Sequence, residues 1–489
     1  MTVRFSSVRT LFLLLVSFTS LAARADWAEL AGLERDGARV TAAAVDLAEG
    51  RVISGLNAES RLTPASLTKL TITAAALDAW PADKSFKTQL LSAGKVNGGE
   101  LDGDLILQGA GDPSLDDHSL WSLAAQLRGA GITSIRGRLI VNAGPFGLVA
   151  CETEDRCKAL ERSDTAYNAP LSSIGVDFGN WCISIRPGAV GSPAAVRGCG
   201  VMTLPINVEG SIRTVGAASR QTFWVERVTR AGPDVLRVSG DVPVDRGQEL
   251  YRSMSNPAHG VGLLLREILR EIGIRMEGAV QVSATPFAGK LDILAEFEGL
   301  TLREQLGRML RFSNNYIADV LTLNLAAELS GQPPTQLSAA SAVLADFVMR
   351  AQRSVQLAKP ETPPAIFSGS GLTPENLISA NDLVGLLAYQ YRDSRRFPAF
   401  YGGLTVPRDA PFQFLRTGSP AWLDRVALKT GTMEMPHSVC GIAGYMRKRD
   451  SGWIAFAVIV NGGPRSRHVP ISRAMSAARA DLETILEQN

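Results

Sequence analysis

The stretch Thr63-Pro-Ala-Ser-Leu-Thr-Lys-Leu70 decides the fold. Thr63 can cap a helix, Pro64 suits the first helical position, and apolar residues recur at Leu67, Leu70, Ala74 and Leu77. Pro81 ends the pattern. In the predicted first turn, Ser66 and Lys69 are three residues apart and share one face. The helix N-terminus adds partial positive charge there. A serine hydroxyl is a poor nucleophile until a base takes its proton. A lysine can be that base when burial or neighbouring cations lower its pKa. A second S-x-x-K, Ser92-Ala-Gly-Lys95, falls in a Gly-rich turn and is set aside.

Upstream, a short helix (26–34) precedes two strands, Val40 to Leu47 and Arg51 to Leu56, joined by Ala48-Glu49-Gly50. Far downstream, the chain reads strand, strand, strand, helix: Arg425 to Thr432, Val439 to Met446, Trp453 to Asn461, then Ile471 to Gln488. Short turns between neighbouring strands predict an antiparallel sheet. The two ends of the chain therefore predict one α/β layered domain.

Lys429-Thr430-Gly431-Thr432 lies in the first of those late strands. Glycine weakens a strand unless something must approach its backbone closely. An extended peptide docking along the strand is one such partner, with Lys and Thr side chains to hold its carboxylate. An ordinary edge strand with an outward lysine is the other reading. Ser313-Asn314-Asn315 joins two helical segments, 302–310 and 315–329, and a break of that kind projects polar side chains into a cleft. Ser379-Ala-Asn381, by contrast, reads as the N-cap of a helix at 381–392.

Between about 86 and 287 the texture changes. Gly and Asp turns punctuate short strands at 104–108, 135–142, 181–186, 222–228, 235–238 and 279–282, with helices near 118–128 and 259–272. A large β-rich insertion is expected from this texture. Cys151, Cys157, Cys182 and Cys199 fall in this region and allow three pairings, of which Cys151–Cys157 with Cys182–Cys199 is the local one. Cys440, in an apolar strand, reads as a buried, inert thiol.

The first 25 residues carry Arg4 and Arg9, the apolar run Leu11-Phe-Leu-Leu-Leu-Val16, and Ala23-Arg24-Ala25. They read as a secretory signal cleaved before Asp26. Its apolar core is short of the ~20 residues that span a bilayer. A soluble exported, periplasmic protein is expected, which makes disulfides permissible. Removing the signal leaves 47 basic against 48 acidic residues. So balanced a charge gives no reason to expect a nucleic acid partner. The four histidines (His118, His259, His437 and His468) are too far apart for a metal motif, and no metal or cofactor is expected. Asp112, Asp116 and Asp117 read as a solvated turn, and no G-x-S-x-G elbow supports a Ser-His-Asp enzyme.

In their order, S-x-x-K, S-x-N and K-T-G are far more specific than any one alone. With Gly109-Ala-Gly-Asp-Pro-Ser-Leu115, Arg311-Phe-Ser-Asn-Asn-Tyr-Ile-Ala-Asp319, Ser368-Gly-Ser-Gly-Leu372 and Gly441-Ile-Ala-Gly-Tyr445, they make the mature chain resemble the penicillin-recognising serine enzymes. It is most similar to the class C low-molecular-mass penicillin-binding proteins, the D-alanyl-D-alanine carboxypeptidase/endopeptidase family. The 247 residues from Ser66 to Ser313 match that family's large insertion, which the resemblance implies is two smaller domains: 1–25 is then the signal peptide, 26–85 and 288–489 the catalytic domain, 86–105 and 181–287 one inserted domain and 106–180 the other. Two stretches depart from its pattern: Ser368 stands where the family usually has Asp, and Gly402-Gly-Leu-Thr-Val-Pro-Arg-Asp409 matches only loosely.

The resemblance implies Ser66 as acylating nucleophile, Lys69 as its base, and Ser313 with Lys429 as the proton relay to the leaving amine. It implies that Asn315 holds the substrate amide, that Thr430, Gly431 and Thr432 bind the substrate's carboxyl end, and that the N–H groups of Ser66 and Thr432 form an oxyanion hole. Peptidoglycan peptides ending in D-Ala-D-Ala are the implied substrates and β-lactams the implied acylating inhibitors. A serine β-lactamase is one alternative, opposed by the long insertion. A non-catalytic cell-wall peptide-binding module is another, opposed by the intact motif residues.

Overall fold

The computed structural model describes residues 27–230, 232–285, 287, 289–357 and 361–489. The proposed signal peptide lies outside them. The helices that bear on the site are α1 (Lys69–Ala79), α2 (Glu154–Glu161), α3 (Leu302–Phe312), α4 (Asn315–Ser330), α5 (Leu337–Val355), α6 (Ala380–Tyr391) and α7 (Ile471–Gln488). Strands β1 (Arg39–Asp46), β2 (Arg51–Leu56), β3 (Val426–Met433), β4 (Val439–Arg447) and β5 (Trp453–Asn461) form one antiparallel sheet in the order β2-β1-β5-β4-β3.

The N-terminal hairpin thus completes a sheet whose other strands come almost 400 residues later. Alternation along the strands feeds two cores. Ala43 and Val45 of β1, Ala427 of β3 and Ile459 of β5 pack against α1, α3, α4, α5 and α6. Val40, Ala42, Val426, Leu428 and Val460 pack on the opposite face against Trp27, Leu30, Trp422 and α7. The sheet is a middle layer with helices on both sides, which is why its strands are nearly continuous apolar runs.

The start of α1 differs from the sequence expectation. Residues Ala65–Thr68 form a 3₁₀ turn and the α-helix begins at Lys69. Thr63 does not cap it. Its hydroxyl donates to the Pro374 carbonyl (3.0 Å), and its backbone is clamped by Asn461, which accepts from Thr63 N (2.9 Å) and donates to Thr63 O (3.0 Å). Ala65 takes a left-handed φ of 47°, a conformation that L-residues adopt at a cost of roughly 1–2 kcal/mol. The tighter turn packs against β3 and lifts Ser66 clear of the core. Ser379 does cap α6, in a reciprocal box with Asp382.

Helix α5 lies between the breaks at Pro333-Pro334 and Pro360 to Pro364, and Leu344, Phe347, Val348 and Val355 line its buried face.

In the insertion, strand pairing joins segments far apart in sequence. Strands at 280–283, 139–142, 105–109, 87–92 and 292–298 form one mixed five-stranded sheet, with 105–109 and 280–283 both parallel to 139–142. The expected division at 105/106 therefore cuts a strand, and residues 139–142 join the sheet that had been divided from them. Strand Asp292–Glu298 pairs with Lys87–Ser92, so the inserted region runs past 287. Non-local pairing of this kind leaves no local signature in sequence. The smaller sheets all draw on residues 162–253 or 95–135 with 275–276. The disulfides are Cys151–Cys157 and Cys182–Cys199. Cys440 is free and buried.

The Asp112 turn is also not solvated. Asp112 is 4% exposed and accepts from Ser114 N (2.8 Å), Ser114 Oγ (2.6 Å) and Gln305 Nε2 (3.3 Å). Burial pushes its carboxyl up to about 6. Asp116 caps the helix at 117–129 in a box with Ser119. Among the described residues, no helix is long and apolar enough to cross a membrane, and no group of three or more His, Cys, Asp or Glu is placed to hold a metal ion.

Candidate active site

Ser66, Lys69, Ser313, Asn315, Lys429, Thr430, Gly431 and Thr432 come from four separate elements and converge at the end of β3. Lys69, the first residue of α1, is fully buried. Its Nζ lies 3.0 Å from Ser66 Oγ, 2.8 Å from Asn315 Oδ1 and 2.7 Å from the Ser370 carbonyl. Two of these partners, an amide oxygen and a carbonyl, can only accept. The serine hydroxyl can also donate. A neutral amine fits this set: it gives its two protons to Asn315 and Ser370 and turns its lone pair to the Ser66 hydroxyl.

The surroundings favour that neutral form. Burial holds the Lys69 amine well below the usual lysine value. The Lys429 cation reinforces this, Asp319 opposes it, and Arg156 adds to the lowering. Ser66 itself is half-buried, exposed enough for a substrate to reach.

Ser313 closes α3 in a left-handed conformation (φ 54°), and Asn314 caps α4 by accepting from Ile317 N (3.0 Å). This tight break presents Ser313 and Asn315 on one side. Lys429 Nζ donates to Ser313 Oγ (3.0 Å) and to the Thr430 carbonyl (2.6 Å). Lys429 is 2% exposed, and burial brings its amine down to about 7. Two lysines of lowered basicity thus each touch one serine.

Gly431 answers the question its place in a strand posed. A Cβ there would meet the Pro64 carbonyl oxygen at 2.5 Å and Leu67 N at 3.0 Å. Its cross-strand partner Gly441 faces Leu67 Cδ1, which an added Cβ would meet at 2.7 Å. The two glycines form a notch that seats the 3₁₀ turn carrying Ser66. The close approach comes from the chain's own backbone, where the sequence suggested a docked peptide.

β3 is nevertheless an edge strand. Leu428 exchanges both backbone hydrogen bonds with Thr405 (2.9 Å each). By alternation, the backbone groups of Thr430 and Thr432 point out of the same edge. Thr430 is half-buried and Thr432 exposed. Beside Ser313, a groove of about 410 Å³ runs between α3 and residues 402–409, lined by Arg308, Arg311, Phe312, Thr405 and Asp409.

Residues outside the short motifs also contribute. Ser370 lies in Ser368-Gly-Ser-Gly-Leu372, and its carbonyl accepts from Lys69 Nζ. Ser368, where the resembled family has Asp, accepts from Gly371 N (3.1 Å), with Ser370 Oγ at 3.4 Å, so it still braces that turn. Asn376 donates to Thr68 Oγ1 (3.1 Å) and to the Ser368 carbonyl (2.9 Å). Tyr167, from the insertion, accepts from Asn315 Nδ2 (3.3 Å) through its carbonyl. His437, eight residues beyond Lys429, makes none of the contacts described.

The model of the D-Ala-D-Ala carboxypeptidase 3 (S13) family matches residues 25–482. A D-alanyl-D-alanine carboxypeptidase from an Actinomadura species is 28% identical over 453 residues, 89% of this chain and 80% of the relative. Another from Haemophilus influenzae is 26% identical over 466 residues, 92% of this chain and 91% of the relative. The crystal structure of penicillin binding protein 4 from H. influenzae superposes with a TM-score of 0.71 at 22% identity, covering 93% of this chain and 99% of that one.

Proposed function

The chain belongs to the D-Ala-D-Ala carboxypeptidase 3 (S13) family, and from that premise we propose a periplasmic serine peptidase acting on peptidoglycan stem peptides. The observation that carries the reading is the buried Lys69 amine 3.0 Å from Ser66 Oγ, its other two partners able only to accept.

Ser66 Oγ attacks the carbonyl carbon of the penultimate D-Ala as Lys69 Nζ takes its proton. Negative charge gathers on the carbonyl oxygen, and the N–H groups of Ser66 and Thr432 receive it. Fixed donors of this kind are among the strongest catalytic devices in a dry site. Collapse breaks the C–N bond. The leaving amine takes a proton from Ser313 Oγ, which is replenished through Lys429. Asn315 Nδ2 holds the substrate amide. Thr430 and Thr432, at the free edge of β3, hold the terminal carboxylate beside the Lys429 charge, with Gly431 keeping that edge against the nucleophile's turn. The proton taken from Ser66 passes from Lys69 through solvent to restore Lys429. Water then attacks the acyl-enzyme, giving its proton to Lys69, which returns it to Ser66 Oγ as the serine is released. β-Lactams acylate the same serine.

Both removal of terminal D-Ala and cleavage of D-Ala–diaminopimelate cross-links use this chemistry. The groove beside Ser313 gives a longer leaving group somewhere to lie. The test is chromatography of purified muropeptides after incubation with the mature protein. Pentapeptides should lose D-Ala or cross-linked dimers should fall to monomers, and Ser66→Ala should do neither. Intact pentapeptides and dimers with wild-type protein would refute the reading.

A further inference from the structure

The insertion reaches the catalytic lysine along a buried chain of contacts. Arg156 on α2 pairs with Asp319 on α4 (Nη2–Oδ2 2.5 Å), the two side chains being 3% and 0% exposed. The other oxygen of Asp319 accepts from Ser370 N (2.8 Å). The Ser370 carbonyl accepts from Lys69 Nζ (2.7 Å). One residue, Ser370, therefore links the carboxylate through its N–H and the lysine through its C=O.

Arg156 is itself fixed from two sides. Its Nη1 donates to the Ala169 carbonyl. Its neighbour Cys157 is tied to Cys151 across the start of α2. That helix has only eight residues and no side-chain cap on Thr153, and the disulfide, the Asn168-to-Asp155 bond (3.0 Å) and the Arg227 Nη2 donation to the Ala159 carbonyl help hold it.

We infer that Arg156, acting through Asp319 and Ser370, is a positioning residue for Lys69, so that the insertion sets the geometry and charge balance of the catalytic base. The inference rests on the reading of Lys69 as that base. The charged groups facing Lys69 are Lys429 from β3, Asp319 from α4 and Arg156 from α2. Ser66, Asn315 and Ser370 complete its shell as neutral partners. Asp319 alone would favour a charged lysine. Arg156 offsets it, while its pull on the carboxylate keeps Ser370 aimed. A buried ion pair is weak evidence for stability in itself, since well-packed apolar residues often serve as well.

The experiment measures the rate constant and binding constant for acylation by benzylpenicillin against pH. The variants are Arg156→Met, Arg156→Lys, Arg156→Met with Asp319→Asn, and Lys69→Met. In Arg156→Met the acid limb of the acylation rate should move up by about one pH unit. On that acid limb the rate constant should then fall about tenfold at a fixed pH, with binding unchanged. Arg156→Lys should recover part of both. In the double variant both charges are gone while an amide oxygen still accepts from Ser370 N, so the acid limb should lie at lower pH than in the wild type. The double variant decides the matter if Arg156→Met does not fold. An acid limb left at its wild-type position in these variants, even with a lower rate, would mark the pair as purely structural and overturn the inference. Acylation retained by Lys69→Met would bring down the reading of the base itself, a distinct outcome.

Discussion

Gly431→Ala isolates the packing on which the site depends. The added Cβ would stand 2.5 Å from the Pro64 carbonyl oxygen and 3.0 Å from Leu67 N. Ordinary contact begins near 3.4 Å, so β3 and the 3₁₀ turn must separate by about 0.9 Å, the shortfall at the oxygen. The atoms that would give are backbone, and no flexible side-chain end can absorb the clash. Overpacking of this size costs roughly 1–3 kcal/mol. The turn that moves carries Ser66, and the strand that moves carries Lys429 and Thr432. A displacement of about 1 Å in a catalytic array costs on the order of 100-fold in rate. The assay pairs thermal unfolding with the kinetics of benzylpenicillin acylation. The expected result is a lower Tm and a rate constant for acylation down about 100-fold. A variant with wild-type Tm and acylation kinetics would refute the notch. A variant with wild-type Tm and only weakened binding would instead favour a glycine kept open for the substrate.

Three further outcomes follow from buried groups. Lys429 is held at about 7 against 10.5 for a free lysine, so the unfolded chain binds more protons between those values and stability should rise with pH across that window, by about 2 kcal/mol between pH 7 and 9. Urea unfolding of Lys429→Met beside wild type should show that increment missing from the variant, and equal pH dependence would contradict it. Asn461→Ala leaves the buried backbone N–H and C=O of Thr63 unpaired, which should cost about 2–4 kcal/mol and slow acylation, read by thermal unfolding and the same kinetics. Cys440 is 5% exposed with its thiol pushed up to about 12, so a thiol-reactive dye should label the native protein at none of its cysteines and the unfolded, unreduced protein at one.

Much of the candidate site was legible because its residues fall in short motifs. Ser66 with Lys69, Ser313 with Asn315, and Lys429 to Thr432 each carry a local reason to be adjacent. Their convergence also follows from strands at both ends of the chain with turns short enough for one sheet. What escaped was non-local. The 3₁₀ turn at Ala65–Thr68 is set by Gly371 and Gly431, whose missing side chains admit the Ala65 and Pro64 carbonyls, and no helix propensity encodes that. The Arg156–Asp319 pair spans 163 residues, and the only nearby sequence signal was the Cys151–Cys157 spacing. Strand 139–142 likewise finds its partners at 105–109 and 280–283, which texture cannot report. The aspartate turn at Asp112 looked solvated because the sequence does not show Gln305 and Gly299 closing over it.

The central claim is that Ser66, activated by Lys69, forms an acyl-enzyme. It is tested most directly by intact mass of the mature protein over time with benzylpenicillin, beside Ser66→Ala, followed by peptide mapping. The account predicts a single lasting penicilloyl adduct on the peptide containing Ser66, absent from the variant. No adduct on the wild-type protein, or an adduct that persists in Ser66→Ala, would contradict it.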